Sequence, residues 1–118
     1  KEFQTAVGQN VGTEPEFPNQ VERELRKKLM AEEVQEYFEG ENNNDLENIA
    51  KELADIIYIV CGTAVSYGIP LDRVFDEVHR SNMAKLVDGK PVRRDDGKIL
   101  KPEGWTPPDI KSILYGVE

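Results

Sequence analysis

The sequence predicts an all-α fold: an antiparallel bundle of about four helices with a small C-terminal hairpin and loop extension, assembled as an oligomer. Three observations carry this prediction. Between Asn19 and Leu86, apolar residues recur at spacings of three and four in three long runs, the pattern of helices with a buried face. The first two runs are joined only by the short Asn42-Asn43-Asn44 link, which makes them an antiparallel hairpin. After Leu86 the periodicity stops, and Asp-Gly pairs and prolines take over, the composition of turns.

Residues 1–17 mix Gly8, Gly12 and Pro15 with a few apolar side chains, which predicts a short helix over Phe3–Val7 followed by loop. Asn19 is placed to cap the next helix, with Glu22 three residues on as its capping-box partner. That helix should reach about Glu39 and stop at Gly40. Val21, Leu25 and Leu29 form one stripe that runs on into Glu32, Glu33 and Glu36, and Met30, Val34, Tyr37 and Phe38 form a second apolar face. A helix apolar on two sides is sandwiched between partners.

Asn44 or Asp45 caps the following helix, which carries Leu46, Ile49, Leu53, Ile56, Ile57, Val60 and Ala64 and stops at Gly68. Glu52 and Asp55 border its apolar arc. Pro70 sits in the first turn of a third long helix running to about Leu86, with Leu71, Val74, Phe75 and Val78 inward and Asn82 and Lys85 continuing the same arc. In the tail, Asp88-Gly89 and Asp96-Gly97 are turns, and Val92–Arg94 and Lys98–Leu100 around the second suggest a small β-hairpin. Pro102, Gly104, Pro107 and Pro108 give an extended segment around Trp105, and Asp109 caps a closing helix through Tyr115.

The 118 residues suit one domain, with core helices over about 19–86 and an arm over 87–118. The 38% hydrophobic content is thin for a self-sufficient monomer and points to burial at a subunit interface. A formal charge of −8 argues against nucleic-acid binding, which needs a basic footprint. The apolar run around Ile56–Val60 is too short to span a bilayer. Lone Cys61 cannot form an internal disulfide and reads as a small buried hydrophobe in a reducing compartment, so a cytoplasmic location is expected.

The chemistry concentrates in five acids. Glu32, Glu33 and Glu36 project within roughly one third of a turn of their helix, and Glu52 and Asp55 share a face at i, i+3. Carboxylates crowded at the border of an apolar arc repel unless a cation lies between them, and a hard divalent ion suits oxygen ligands. The competing reading is a salt-bridge network with Lys27, Lys28 or Lys51. Beyond the acids, Asn82 and Lys85 invite a functional account, though a snorkelling lysine and a helix cap would also explain them. Trp105 and the tail cations Arg93, Arg94, Lys98 and Lys101 read equally well as packing and surface charge.

Glu32-Glu33-x-x-Glu36, followed sixteen residues later by Glu52-x-x-Asp55 on the next helix, resembles the EExxE…ExxD signature of the all-α nucleoside triphosphate pyrophosphohydrolases. That superfamily includes MazG-like proteins, phosphoribosyl-ATP pyrophosphohydrolases and dimeric dUTPases. Asn82-Met83-Ala84-Lys85 is similar to the Asn-x-x-Lys that follows ExxD in many members. The tail, from Asp88-Gly89-Lys90-Pro91 through Lys101-Pro102 and Gly104-Trp105 to Pro108-Asp109-Ile110, looks like the phosphoribosyl-ATP pyrophosphohydrolase-like branch.

The resemblance implies Mg²⁺-dependent cleavage, with Mn²⁺ as an alternative, between the α and β phosphates of a nucleotide. The products would be a nucleoside monophosphate and pyrophosphate. It makes Glu33, Glu36, Glu52 and Asp55 metal ligands, and Glu32 or Glu33 the acid that activates water. Asn82, Lys85, Lys98, Lys101 and Trp105 are the expected substrate contacts, and a homodimer or homotetramer the expected assembly. The other readings are a true phosphoribosyl-ATP pyrophosphohydrolase of histidine synthesis and a non-catalytic nucleotide- or metal-binding oligomer.

Overall fold

The computed structural model describes residues 1–7 and 11–116. Its elements are α1 (Glu2–Ala6), α2 (Gln20–Asn42), α3 (Leu46–Tyr67), α4 (Leu71–Met83), β1 (Leu86–Val87), β2 (Lys90–Pro91) and α5 (Ile110–Tyr115), so the fold is all-α with a minute sheet. They fall into two compact units, Lys1–Ile69 and Pro70–Glu118.

In the first unit, α2 and α3 form the expected antiparallel hairpin. Asn19 Oδ1 accepts from Glu22 N at 2.9 Å, so the cap is as the sequence implies. The reciprocal half of the capping box is absent. The Glu22 carboxylate turns inward instead and accepts from Arg26 Nε at 2.9 Å and Ser66 Oγ at 2.6 Å. A buried guanidinium is a stronger partner than a backbone N–H that water can satisfy.

Gly40 does not end α2; it is buried inside the helix, which continues to Asn42. A Cβ at Gly40 would lie 3.0 Å from Asn48 Nδ2 and 3.2 Å from Ile49 Cγ1. The missing side chain therefore lets the start of α3 approach closely. The turn itself is made by Asn44 at φ 53, closed by Asp45 N donating to Gly40 O at 3.0 Å. Asp45 then caps α3 by accepting from Asn48 N at 3.1 Å.

α3 ends at Gly68 in the left-handed region, φ 68, where glycine carries no steric cost. The chain before α2 folds back over this end. Gly12 N donates to Val65 O at 2.8 Å and Glu16 N to Tyr67 O at 3.0 Å. Phe17 meets Tyr67 edge-on at 5.9 Å, and the Arg23 guanidinium lies 4.4 Å from the centre of the Phe17 ring.

Among the described residues the only buried hydrophobic side chain is Ala64. Leu25, Leu29, Met30, Val34, Ile49, Ile56 and Ile59 are half-buried between the helices. Val21 and Leu46, which periodicity puts on buried stripes, are 80% and 77% exposed, each in the first turn of its helix. Leu53 and Ile57 are exposed on the outer face of α3, and Cys61, one turn beyond Ile57, is exposed rather than buried.

In the second unit, α4 starts after Pro70 and stops at Met83, short of the expected Leu86. Leu71 and Val74 are half-buried, whereas Phe75 and Val78 are exposed. Leu86 belongs to β1, which pairs with β2 as Leu86↔Pro91 and Val87↔Lys90. Asp88 (φ 51) and Gly89 (φ 76) form the connecting turn; two consecutive positive φ values suit a two-residue hairpin. The hairpin expected at Asp96-Gly97 exists as a single bridge, Arg93↔Ile99, with Leu100 N donating to Val92 O at 2.7 Å.

The extended segment that follows is tied to α4. Trp105 Nε1 donates to Ser81 O at 2.6 Å, Arg80 Nη2 to Thr106 O and Pro107 O, and Asp109 N to Glu77 Oε2 at 2.6 Å. Asp109 caps α5 through Ser112 N at 3.2 Å, as its position predicts.

Candidate active site

The α2–α3 hairpin sets the two acidic motifs against each other. One carboxylate oxygen from each of Glu33, Glu36 and Glu52 lies within 4.8 Å of the others. Glu52 is 3% exposed and Glu33 half-buried, while Glu36 opens to solvent. Glu33 Oε2 and Glu52 Oε2 are buried and meet no hydrogen-bond donor. An acceptor removed from water without a donor is costly, and more so when it is charged.

The electrostatics follow from this crowding. Glu33 is pushed up to about 7, first by sharing a hydrogen bond with Glu52, then by burial and by the charges of Glu36, Asp55 and Glu52. Glu36 is also raised, chiefly through Glu52. Glu52 is held low, because Lys51 Nζ donates to its Oε1 at 3.0 Å. Below about pH 7 the crowding favours the protonated form of Glu33, whereas Lys51 favours the ionised form of Glu52. Three carboxylates converging with two orphaned buried oxygens fit a hard divalent cation, which would replace the shared proton and satisfy both acceptors.

Lys51 joins the two reading frames of the sequence. Its ammonium bridges Glu52 Oε1 and Asp55 Oδ2, the latter at 2.8 Å, so part of the salt-bridge alternative is realised. Lys27 pairs with Glu24 instead. Asp55 is therefore held on Lys51 and stands outside the converging trio. Glu32 is exposed on α2.

The remaining candidates lie in the second unit. Asn82 Oδ1 accepts from Lys85 Nζ at 3.2 Å. Lys85 Nζ lies 5.6 Å and Lys101 Nζ 4.9 Å from the centre of the Trp105 indole. Lys98 is exposed, with its backbone N–H bound to Asp96 Oδ1. Asn82 is itself exposed, and the buried residue at this end of α4 is its neighbour Ser81, 2% exposed. At this end of α4 the inward positions are thus Ser81 and Lys85, so the reading from periodicity holds for Lys85 and fails for Asn82.

One buried polar network escaped the sequence. Ser66 Oγ accepts from Gln4 Nε2 at 3.2 Å and donates to Glu22, which also takes Arg26. Burial alone would raise Glu22, but the hydrogen bonds from Ser66 and Arg26 outweigh it and hold the carboxyl low. The i, i+4 spacing of Glu22 and Arg26 was the available signal; the cap position of Glu22 masked it. Next to this network, a groove of about 530 Å³ is lined by Arg23, Arg26, Lys27, Met30, Val34 and Tyr67, among others, and by none of the five acids.

Among the described residues no single helix is long and apolar enough to cross a membrane. No curated protein matches the chain. Residues 1–82 match the family model described as phosphoribosyl-ATP pyrophosphohydrolase, so both acidic motifs fall inside the match and the tail from Met83 onward falls beyond it. The chain belongs to the phosphoribosyl-ATP pyrophosphohydrolase family, nucleotide pyrophosphohydrolases of the MazG-like all-α superfamily that hydrolyse phosphoric anhydrides.

Proposed function

We propose that the protein hydrolyses nucleoside triphosphates, or closely similar nucleotides, between the α and β phosphates to a nucleoside monophosphate and pyrophosphate. The observation that carries this reading is the convergence of Glu33, Glu36 and Glu52 within 4.8 Å, with two buried oxygens lacking donors. Glu33, Glu36 and Glu52, with Asp55 once it leaves Lys51, would hold Mg²⁺, or Mn²⁺ in its place. When bound, the ion supplies neutralisation of phosphate charge.

The chain's own residues do the rest. Glu32 or Glu33 orients a water and accepts its proton as the water oxygen bonds to the α phosphorus. The bond from that phosphorus to the bridging oxygen breaks, and pyrophosphate leaves with the bonding pair. Asn82, Lys85, Lys98, Lys101 and Trp105 are the proposed substrate contacts. The chain acts as one catalytic domain, with helices over 19–86 as its core and the rest as an arm. The exposed apolar residues Leu46, Leu53 and Ile57 support a homodimer or homotetramer, since monomers seldom leave such stripes open.

The family match itself favours a second substrate, phosphoribosyl-ATP, which is cleaved at the same kind of bond. The test is a screen of ribo- and deoxyribonucleoside triphosphates and phosphoribosyl-ATP with Mg²⁺, scored for pyrophosphate and the matching monophosphate. The proposal expects turnover of at least one triphosphate, abolished by Glu36→Ala and by excess chelator. Turnover of phosphoribosyl-ATP alone establishes the second reading. Orthophosphate as the product, or activity that survives the chelator, overturns both.

A further inference from the structure

One side chain of the first unit grips two of the acids at once. Lys51 Nζ donates to Glu52 Oε1 at 3.0 Å and to Asp55 Oδ2 at 2.8 Å. The acids differ in setting. The Glu52 side chain is 3% exposed and that of Asp55 38%, while Lys51 itself is 65% exposed. The ammonium therefore stands at the solvent edge of the cluster, against one buried carboxylate and one open one. All three residues lie on α3, so the arrangement depends on no other element.

The two contacts have different consequences. At Glu52, Lys51 takes Oε1 and leaves Oε2, which is buried and meets no donor. A cation can bind that second oxygen with the lysine still in place. At Asp55, the bond to Lys51 keeps the carboxylate outside the trio of Glu33, Glu36 and Glu52. An ammonium and a divalent ion drawn to one carboxylate also repel each other, so the two cations compete for Asp55. The lysine is the weaker competitor. A solvent-exposed ammonium–carboxylate pair is worth little, and a lysine placed N-terminal to its acid at i, i+4 is the less favourable order along a helix. Its four-carbon stem can carry the charge into water without moving α3.

We infer that Lys51 is a resident counter-ion that a divalent cation displaces from Asp55, so that this one side chain sets the affinity of the site and decides when Asp55 becomes a ligand. The inference rests on the metal reading of the acidic cluster and not on which nucleotide is cleaved. Before the ion arrives, Lys51 offsets the repulsion among the crowded carboxylates. Once the ion binds, the same ammonium must give up Asp55, and that exchange holds metal affinity down.

The experiment titrates the full chain with Mn²⁺ alone, without nucleotide, and reads binding by calorimetry and by the paramagnetic resonance signal of free Mn²⁺. Lys51→Met keeps the length of the side chain and removes its charge. It should bind Mn²⁺ about tenfold more tightly than wild type, the scale on which the outer partners of a ligand act. Lys51→Arg, which keeps the grip on Asp55, should bind no more tightly than wild type. In an Asp55→Asn background the gain from Lys51→Met should disappear, because nothing is left to compete for. In chelator, Lys51→Met should melt below wild type. Circular dichroism checks that each variant is folded, and Glu36→Ala marks the signal that comes from acids elsewhere. Equal or weaker Mn²⁺ binding in Lys51→Met overturns the inference, since a lysine that merely oriented Glu52 would support the metal. The same gain in both backgrounds also overturns it, by showing that Lys51 acts through net charge and not through Asp55. If wild type and Lys51→Met both bind no Mn²⁺ beyond the Glu36→Ala signal, the metal reading falls with it. Mn²⁺ binding that ignores Lys51 removes only the role given to this lysine and leaves the proposed hydrolysis to the nucleotide screen.

Discussion

Replacing Glu52 by Gln should stabilise the metal-free protein at pH 8 and weaken its response to metal. At that pH the folded chain must keep Glu33 ionised against Glu52, Glu36 and Asp55, a burden that lifts its carboxyl from 4.5 to about 7. In full, such a displacement corresponds to about 3 kcal/mol; solvent reaching the open side of the cluster screens it to about 1–2 kcal/mol. A Gln at position 52 removes the largest contributor and offers an amide donor to the orphaned Glu33 oxygen. The lost Lys51–Glu52 contact costs only about 0.5 kcal/mol, because Lys51 is largely exposed and keeps Asp55. The net gain is about 1 kcal/mol, or about 3–5 °C in Tm for a chain of this size.

The pH dependence gives an independent check on sign. Glu33 is raised, so between about pH 4.5 and 7 the folded state holds a proton that the unfolded state has released. Stability from this group is complete below the unfolded value and lost as pH rises through about 7. Glu36 acts in the same direction. Glu22, Glu77 and Asp96 are lowered, so their contribution is already complete above the ordinary carboxylate range and stays flat there. Thermal unfolding in chelator from pH 5.5 to 8 should therefore show wild-type Tm falling and the Glu52→Gln curve flatter. Saturating Mg²⁺ should raise wild-type Tm, by about 2.7 kcal/mol in stability at a hundred times Kd, and the variant's much less. A wild-type Tm that rises over this window, or a variant less stable than wild type at pH 8, would refute the reasoning.

Three further outcomes are expected. Glu22→Ala should destabilise the chain by about 3 kcal/mol in denaturant titrations, since it strips the buried Arg26 of its carboxylate, while metal affinity measured on the folded variant stays unchanged. Gly68→Ala should lower Tm sharply, because a Cβ there both occupies a left-handed backbone and collides with the Glu14 main chain; the conformational part alone is about 1 kcal/mol. Deleting the chain from Asp88 onward should weaken nucleotide binding far more than Mg²⁺ binding in parallel calorimetry, and equal nucleotide affinity in a folded truncation would show the tail to be packing only.

The sequence by itself determined the helices and where they are punctuated. Asn19, Asp45, Gly68 and Asp109 are legible as caps because capping is a local contest between one side chain and the nearest free N–H or C=O. It also determined that Glu33, Glu36 and Glu52 would meet, since two helical faces joined by a short link leave little choice of partner. Tertiary structure decided what depends on a second element. Glu22 abandoned its cap role once Ser66 and Arg26 arrived. Gly40, which reads as a helix stop, became the point of close approach to Asn48 and Ile49. Asp55 and Glu52, alike in the sequence, were divided by Lys51, which grips both and leaves only Glu52 in the trio. The pairing of Trp105 with Lys85 and Lys101 was equally hidden, because no periodicity links a lysine at the end of α4 to a proline-bounded strap about twenty residues later. Periodicity reports which face of an element is apolar; only the packed chain settles which polar group finds its partner first.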